Sequence, residues 1–177
     1  TPTDEQVEQS KQLLLEPFSE FPVAHAAGFA HILALILTPI MRELIAGPTP
    51  IFAVDASRPR TGKGLLVKLV NTILTGRLPS GSSFPKDDDE IRKQILAKLR
   101  SAHPLVLIDN VNRVVDSGAL AAAITMETWR DRVLGESREL EVPNRAAWVM
   151  TGNNMTFSQE NTGRVVWIRL IPNVENP

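Results

Sequence analysis

The segment from Ile51 to Thr75 constrains this chain more than any other. Ile51-Phe52-Ala53-Val54-Asp55 is apolar at nearly every position, the pattern of a strand buried on both faces in a parallel sheet. A basic turn, Ser57-Arg58-Pro59-Arg60-Thr61-Gly62-Lys63-Gly64, follows it directly. Gly64–Thr75 then sets Leu65, Leu66, Leu69, Val70 and Ile73 at helical spacing, with Gly76 as the stop. Strand, tight turn and helix in this order bring backbone N–H groups and the positive end of a helix to one point, which suits a phosphate.

Compared with the phosphate-loop pattern G-x-x-x-x-G-K-[ST], the turn keeps its central feature. Lys63 follows Gly62 directly, where a lysine reaches β- and γ-phosphates. Ser57 stands at the first glycine position. Gly64 stands where a hydroxyl ordinarily ligates Mg²⁺, so either other groups hold the metal or nucleotide binding is weak. The nucleotide-contact set predicted here is Ser57, Arg58, Pro59, Arg60, Thr61, Gly62, Lys63, Gly64 and Leu65. The alternative is a basic strand-to-helix turn that holds no ligand.

Downstream features bear on that choice. Leu105-Val106-Leu107-Ile108-Asp109 reads as a second buried strand ending in a carboxylate, placed to hold Mg²⁺. Asn110 follows, and an amide can orient a water without accepting its proton. Ala146–Thr151 reads as a further strand running into Gly152-Asn153-Asn154, where either amide can touch a γ-phosphate or hold the attacking water. Arg164 opens the last strand, Arg164–Leu170, as a candidate finger onto a neighbouring subunit's γ-phosphate. Each has a plainer reading: a strand-end Asp, a turn built on Gly-Asn-Asn, and a surface Arg.

The remaining chain supplies helices between these strands, which argues for an α/β parallel sheet. Thr3 and Gln6 form a capping-box pattern opening a helix to about Leu15, stopped by Pro17. Ala24 to about Ile45 reads as an apolar helix broken near Thr38-Pro39. Residues 77–87 read as a loop with room for a short edge strand. Asp88–Arg100 and Ser117–Thr128 read as helices, and Arg132–Val142 as a β-hairpin turning at Gly135-Glu136. Residues 1–47 are thus an N-terminal helical segment and 48–177 a phosphate-loop core.

Composition excludes little but removes some chemistry. The 177 residues carry a net charge of −1, so any nucleic-acid surface must be local. Without cysteine there are no disulfides, thiolate nucleophiles or Cys-based zinc sites, which suits the cytoplasm. His25, His31 and His103 are too scattered for a metal cluster, and Trp129, Trp148 and Trp167 read as core or interface anchors. The longest apolar stretch, Phe29–Ile40, is too short to cross a bilayer. The start without Met and the polar Asn173–Pro177 tail suggest a piece of a larger protein.

Taken together, residues 55–64, Leu107-Ile108-Asp109-Asn110, residues 129–135 and residues 143–154 occur in a fixed order that resembles the AAA+-type P-loop ATPase domains of phage, plasmid and genomic-island proteins. These are often described as primase-associated or related to superfamily 3 helicases. The resemblance extends upstream to Phe21-Pro22 and residues 37–42. It implies a three-layer P-loop sandwich with a mostly parallel central sheet and a β-hairpin inserted before the sensor strand. It also implies an ATP- and Mg²⁺-dependent, ring-forming motor acting on DNA. Lys63 would be the phosphate lysine, Asp109 the metal carboxylate, Asn153 or Asn154 the sensor and Arg164 the finger in trans. The lid expected after the last strand does not follow it in this sequence.

The resemblance further implies that the hairpin projects toward DNA, with Arg138 near its turn and Arg130 and Arg132 nearer its base. Glu127 to Arg145 holds four Arg against five acidic residues, so contact with backbone phosphates depends on how the arginines are presented. A purely structural hairpin is the alternative. Three functions stay open: an ATP-driven DNA motor, a nucleotide switch or loader of slow turnover, and a P-loop scaffold for protein contacts. Gly64 and Asn110 favour the second, the amide pair and Arg164 the first.

Overall fold

A computed structural model describes residues 1–133 and 138–171, arranged as a three-layer α/β sandwich. In chain order its strands are β1 (Ile51–Ala56), β2 (Gly81–Ser82), β3 (Leu105–Val111), β4 (Thr128–Arg132), β5 (Glu139–Pro143), β6 (Ala147–Asn153) and β7 (Val165–Leu170). Its helices are α1 (Asp4–Leu15), α2 (Ala26–Ile40), α3 (Lys63–Thr75), α4 (Asp88–Arg100), α5 (Gly118–Ala123) and α6 (Gln159–Thr162). Five strands form one sheet in the order β2-β3-β6-β1-β7, with every pairing parallel. All five therefore end at the same edge, and β1 lies between β6 and β7.

The pleat sorts each strand between two cores. Phe52 and Val54 of β1, Leu105 and Leu107 of β3, and Ala147 and Val149 of β6 share a core with Ile32, Leu35 and Ile36 of α2 and Leu66, Val67 and Val70 of α3. The alternate residues, including Ile51, Ala53, Val106, Ile108, Trp148 and Met150, pack with α4 and α5. This double coverage is why the strand sequences are apolar without alternation. Each buried Val, Leu, Ile or Phe contributes about 1.5–3 kcal/mol.

Local chemistry sets the helix ends. The Thr3 hydroxyl accepts from the Gln6 N–H at 3.3 Å and the Gln6 carboxamide oxygen from the Thr3 N–H at 2.9 Å, completing the capping box of α1. Pro39 does not break α2. It sits in the last helical turn, where the Thr38 hydroxyl donates to the Ala34 carbonyl, and a short 3₁₀ turn, Arg42–Leu44, follows instead of more α-helix.

Two expected elements move. The helix predicted over Ser117–Thr128 stops at Ala123, and the hairpin begins earlier, with Thr128 opposite Pro143 and Arg132 opposite Glu139. The cause is Asn144, buried just beyond β5. Its amide donates to the carbonyls of Ala123 and, at 3.1 Å, Met126, while its oxygen accepts from Trp148 Nε1 at 3.1 Å. Asn144 thus takes the carbonyls that a longer helix would use itself. The Gly135-Glu136 turn and the Asn173–Pro177 tail lie outside the described residues. Among the described residues, no helix is long and apolar enough to cross a membrane.

Candidate nucleotide site

The carboxyl ends of β1, β3 and β6 open onto one cavity of about 380 Å³ beneath the amino end of α3. Residues from Pro59 to Gly64 form one wall. Asp109 and Asn110 from β3, with Thr151, Gly152 and Asn153 from β6, form the other. Ligands of parallel α/β sheets bind at such strand ends, where successive connections leave in opposite directions. Here the connection from β1 runs through α3 to the far edge at β2, and β7 returns on the other side of β1.

The turn is shaped for its N–H groups to converge. Arg60 has φ 61° and Gly62 φ 86°, both in the left-handed region. A Cβ on Gly62 would also stand 3.1 Å from the Phe21 ring, so the segment before α2 buttresses the turn. Left-handed residues in a loop that leads into a helix form the anion-binding concavity of phosphate loops.

Lys63 reaches across this cavity. Its ammonium donates to Asn153 Oδ1 at 2.7 Å and to the Arg58 carbonyl and Thr61 Oγ1, both at 3.2 Å. Partial burial lowers its pKa from 10.5, and the charges of Asp55 and Asp109 oppose that shift. Of the two amides, Asn153 enters the cavity. Asn154 has φ 51° and turns away, its Nδ2 donating to the Ser57 carbonyl at 3.3 Å.

Asp109 and Asn110 sit on an irregularity. Ile108 pairs with Met150 but Val111 with Gly152, so β3 holds one residue more than β6 between these points. Asn110 takes φ 57°, a conformation that Asn tolerates better than most residues, and both side chains turn out of the core. A Cβ on Gly152 would lie 2.5 Å from the Val111 carbonyl, which explains glycine opposite the bulge. The Thr151 hydroxyl joins the two strands: it donates to Asp109 Oδ1 and accepts from the Asn110 N–H at 3.0 Å.

Thr151, buried at 2% exposure, is the residue that motif reading missed. Its signal was its position two residues before Asn153, which puts both on one face of a strand. Asp55 was also passed over; it is buried on the opposite face of the sheet, where its carboxylate accepts from the Met155 N–H at 3.0 Å.

The other predicted residues are dispersed. Ser57, Arg58 and Leu65 do not line the cavity, although the Arg58 carbonyl accepts from Lys63, which does. Arg164 lies at the amino end of β7, about 20 Å from the turn that follows β1 by strand length. Its guanidinium donates to the Glu160 carbonyl at 2.5 Å, and it does not face its own chain's cavity. Arg130 is paired on the hairpin with Glu141 at 2.5 Å, and Asp131 with Arg92 of α4 at 3.1 Å. Arg132, the last residue of β4, and Arg138, just before β5, are exposed.

No protein-family model and no curated protein matches the sequence. In fold, the chain is similar to JCV helicase. The crystal structure of that helicase bound to N-(4-(2-(thiazolo[5,4-c]pyridin-2-yl)phenoxy)phenyl)acetamide aligns at a TM-score of 0.53 and 13% identity. The alignment covers 97% of this chain and 53% of the helicase, so the chain spans about half the length of its neighbour. At that identity the likeness establishes a helicase-like α/β fold.

The donor set can be tested against a magnesium ion. Mg²⁺ is commonly held by one or two carboxylates, nucleotide phosphates and water. Asp109 offers its second oxygen, Oδ1 being bonded to Thr151, and a side chain at Gly64 would meet nothing within 4 Å, which leaves room for a water. The residues fit a metal that arrives with its nucleotide, with Asp109 as the protein ligand.

Proposed function

We propose that this chain is the ATP-binding and ATP-hydrolysing domain of a DNA helicase or translocase of mobile-element replication, working as a ring of identical subunits in the cytoplasm. The observation that carries the reading is the convergence of Lys63, from the amino end of α3, with Asp109 and Asn153, from the ends of β3 and β6, on one cavity. The helicase-like fold supports it.

In this reading the turn N–H groups and Lys63 bind the β- and γ-phosphates. Asp109 holds Mg²⁺, which when bound offsets the charge that grows on the transferring phosphoryl oxygens. Thr151 keeps that carboxylate oriented. Asn153 exchanges Lys63 for the γ-phosphate or the attacking water, and Arg164 serves the neighbouring subunit. Arg130, Arg132 and Arg138 are the DNA-contacting candidates of the hairpin, Arg130 being paired with Glu141.

The test is steady-state ATP turnover with and without single-stranded DNA, with Lys63→Ala as control. Turnover that DNA stimulates and the substitution abolishes supports a motor; turnover unaffected by the substitution overturns it. A second reading, a switch or loader with slow turnover, is favoured by Asn110, an amide where a general base would serve. Tight nucleotide binding with negligible DNA-stimulated turnover selects that reading.

A further inference from the structure

Phosphate sites of this kind draw positive charge from backbone N–H groups, a lysine and a metal, and the metal is held by a hydroxyl next to that lysine and by a carboxylate. Here the metal side is thin. Gly64 has no hydroxyl, Asn110 has no charge, and one oxygen of Asp109 already accepts from Thr151. Among the described residues, no group of three or more His, Asp or Glu side chains gathers that could hold a metal.

The cationic side is correspondingly heavy. Arg60 lines the same cavity wall as Lys63. Its side chain is exposed, and no hydrogen bond, ion pair or ring contact within the described residues engages its guanidinium. The three protons of Lys63, by contrast, all have acceptors. Arg60 also occupies a left-handed conformation, φ 61°, that costs a residue with a Cβ about 1–2 kcal/mol and that glycine adopts freely. A guanidinium held at the mouth of a phosphate cavity at that cost can make bidentate contacts to a phosphate, which a lysine cannot.

We propose that Arg60 is a second phosphate-binding cation of this site, and that it makes nucleotide affinity largely independent of divalent metal. The inference rests on the proposed nucleotide reading and adds to it: the metal matters to the phosphoryl-transfer step, while binding is carried by Lys63, Arg60 and the turn N–H groups. Chelation should then leave the protein loaded with nucleotide and stop only turnover.

The experiment is equilibrium titration of the full chain with a ribose-labelled fluorescent ATP, in excess MgCl₂ and in EDTA. The wild-type Kd should change by no more than about threefold between the two conditions. Arg60→Gly, which relaxes the backbone and so does not threaten folding, should weaken binding in EDTA by about tenfold or more. Arg60→Lys should recover part of that loss. Gly64→Ser, which has room for its hydroxyl, should restore a metal preference by tightening binding in MgCl₂ over EDTA. A wild-type Kd that rises tenfold or more on chelation overturns the inference while leaving the nucleotide reading intact, as does an unchanged EDTA affinity in Arg60→Gly. Absence of binding in both conditions overturns both.

Discussion

Lys63 Nζ donates to Asn153 Oδ1 at 2.7 Å, joining the first residue of α3 to the last residue of β6 across the cavity at the strand ends. The lysine is thus held in place by the group that the proposed mechanism has it exchange for phosphate. Asn153→Ala should lower kcat by about a hundredfold, as loss of a preorganised polar group at a reacting centre does, and change nucleotide Kd far less. Single-turnover ATPase kinetics beside equilibrium binding separates the two; equal losses in both would assign Asn153 to ground-state binding instead.

The Lys63 contact also has a pH signature. Bound phosphate favours the ammonium form, so affinity must fall as pH rises through the Lys63 pKa of the free protein. Burial places that pKa below 10.5 against the pull of Asp55 and Asp109, so the fall should begin at lower pH than for an ordinary lysine. Calorimetric titration of ATP across the alkaline range measures it, and a constant affinity up to 10.5 would contradict the placement.

Thr151 is expected to matter for stability and catalysis together. Thr151→Val keeps the shape but leaves the Asn110 N–H without its acceptor and Asp109 without its donor, at about 1–3 kcal/mol. Urea unfolding should report that loss. Thr151→Ser should recover most of it along with ATP turnover, whereas a stable but inactive serine variant would point to a role for the methyl group.

Asn110→Asp tests the slow-turnover reading. Asp tolerates the left-handed backbone nearly as well as Asn and adds a group that can accept the proton of water. Turnover of ATP should rise, by about tenfold if proton acceptance limits the wild-type rate. No change would indicate that another step limits it.

Asn144→Ala should cost about 2–4 kcal/mol, because it strands the carbonyls of Ala123 and Met126 and the buried Trp148 N–H together. Thermal denaturation checks this; a loss under 1 kcal/mol would show that the hairpin and α5 are held mainly by apolar packing.

Much of the fold was legible because the buried strands are apolar on both faces and the helices periodic. The candidate site was legible through Lys63 at a helix start and through Asp109 and the amide pair at strand ends. What escaped was set by contacts distant in sequence. Asn144 shortens α5 by binding carbonyls some 20 residues back, and nothing in the Ala-rich run itself announces where it stops. Adjacent Asn153 and Asn154 are chemically identical, and only the left-handed turn at Asn154 sends one into the cavity and the other onto the turn backbone. The distance of Arg164 from its own chain's cavity follows from parallel pairing with β1, which strand propensity does not encode.

The extra residue in β3 acts as a change of phase. Up to Ile108, odd positions of the strand face α3 and even positions face α4; beyond the bulge Val111, an odd position, packs on the α4 side at 2% exposure. A strand without that offset would turn Val111 toward α3 and lose the stretch in which two consecutive polar side chains open on the same cavity. Deleting Asn110 should therefore do more than remove an amide. It would put the remainder of β3 back in step with β6, with Val111 still opposite Gly152 and in its core, and flatten the irregularity on which two consecutive side chains turn out together.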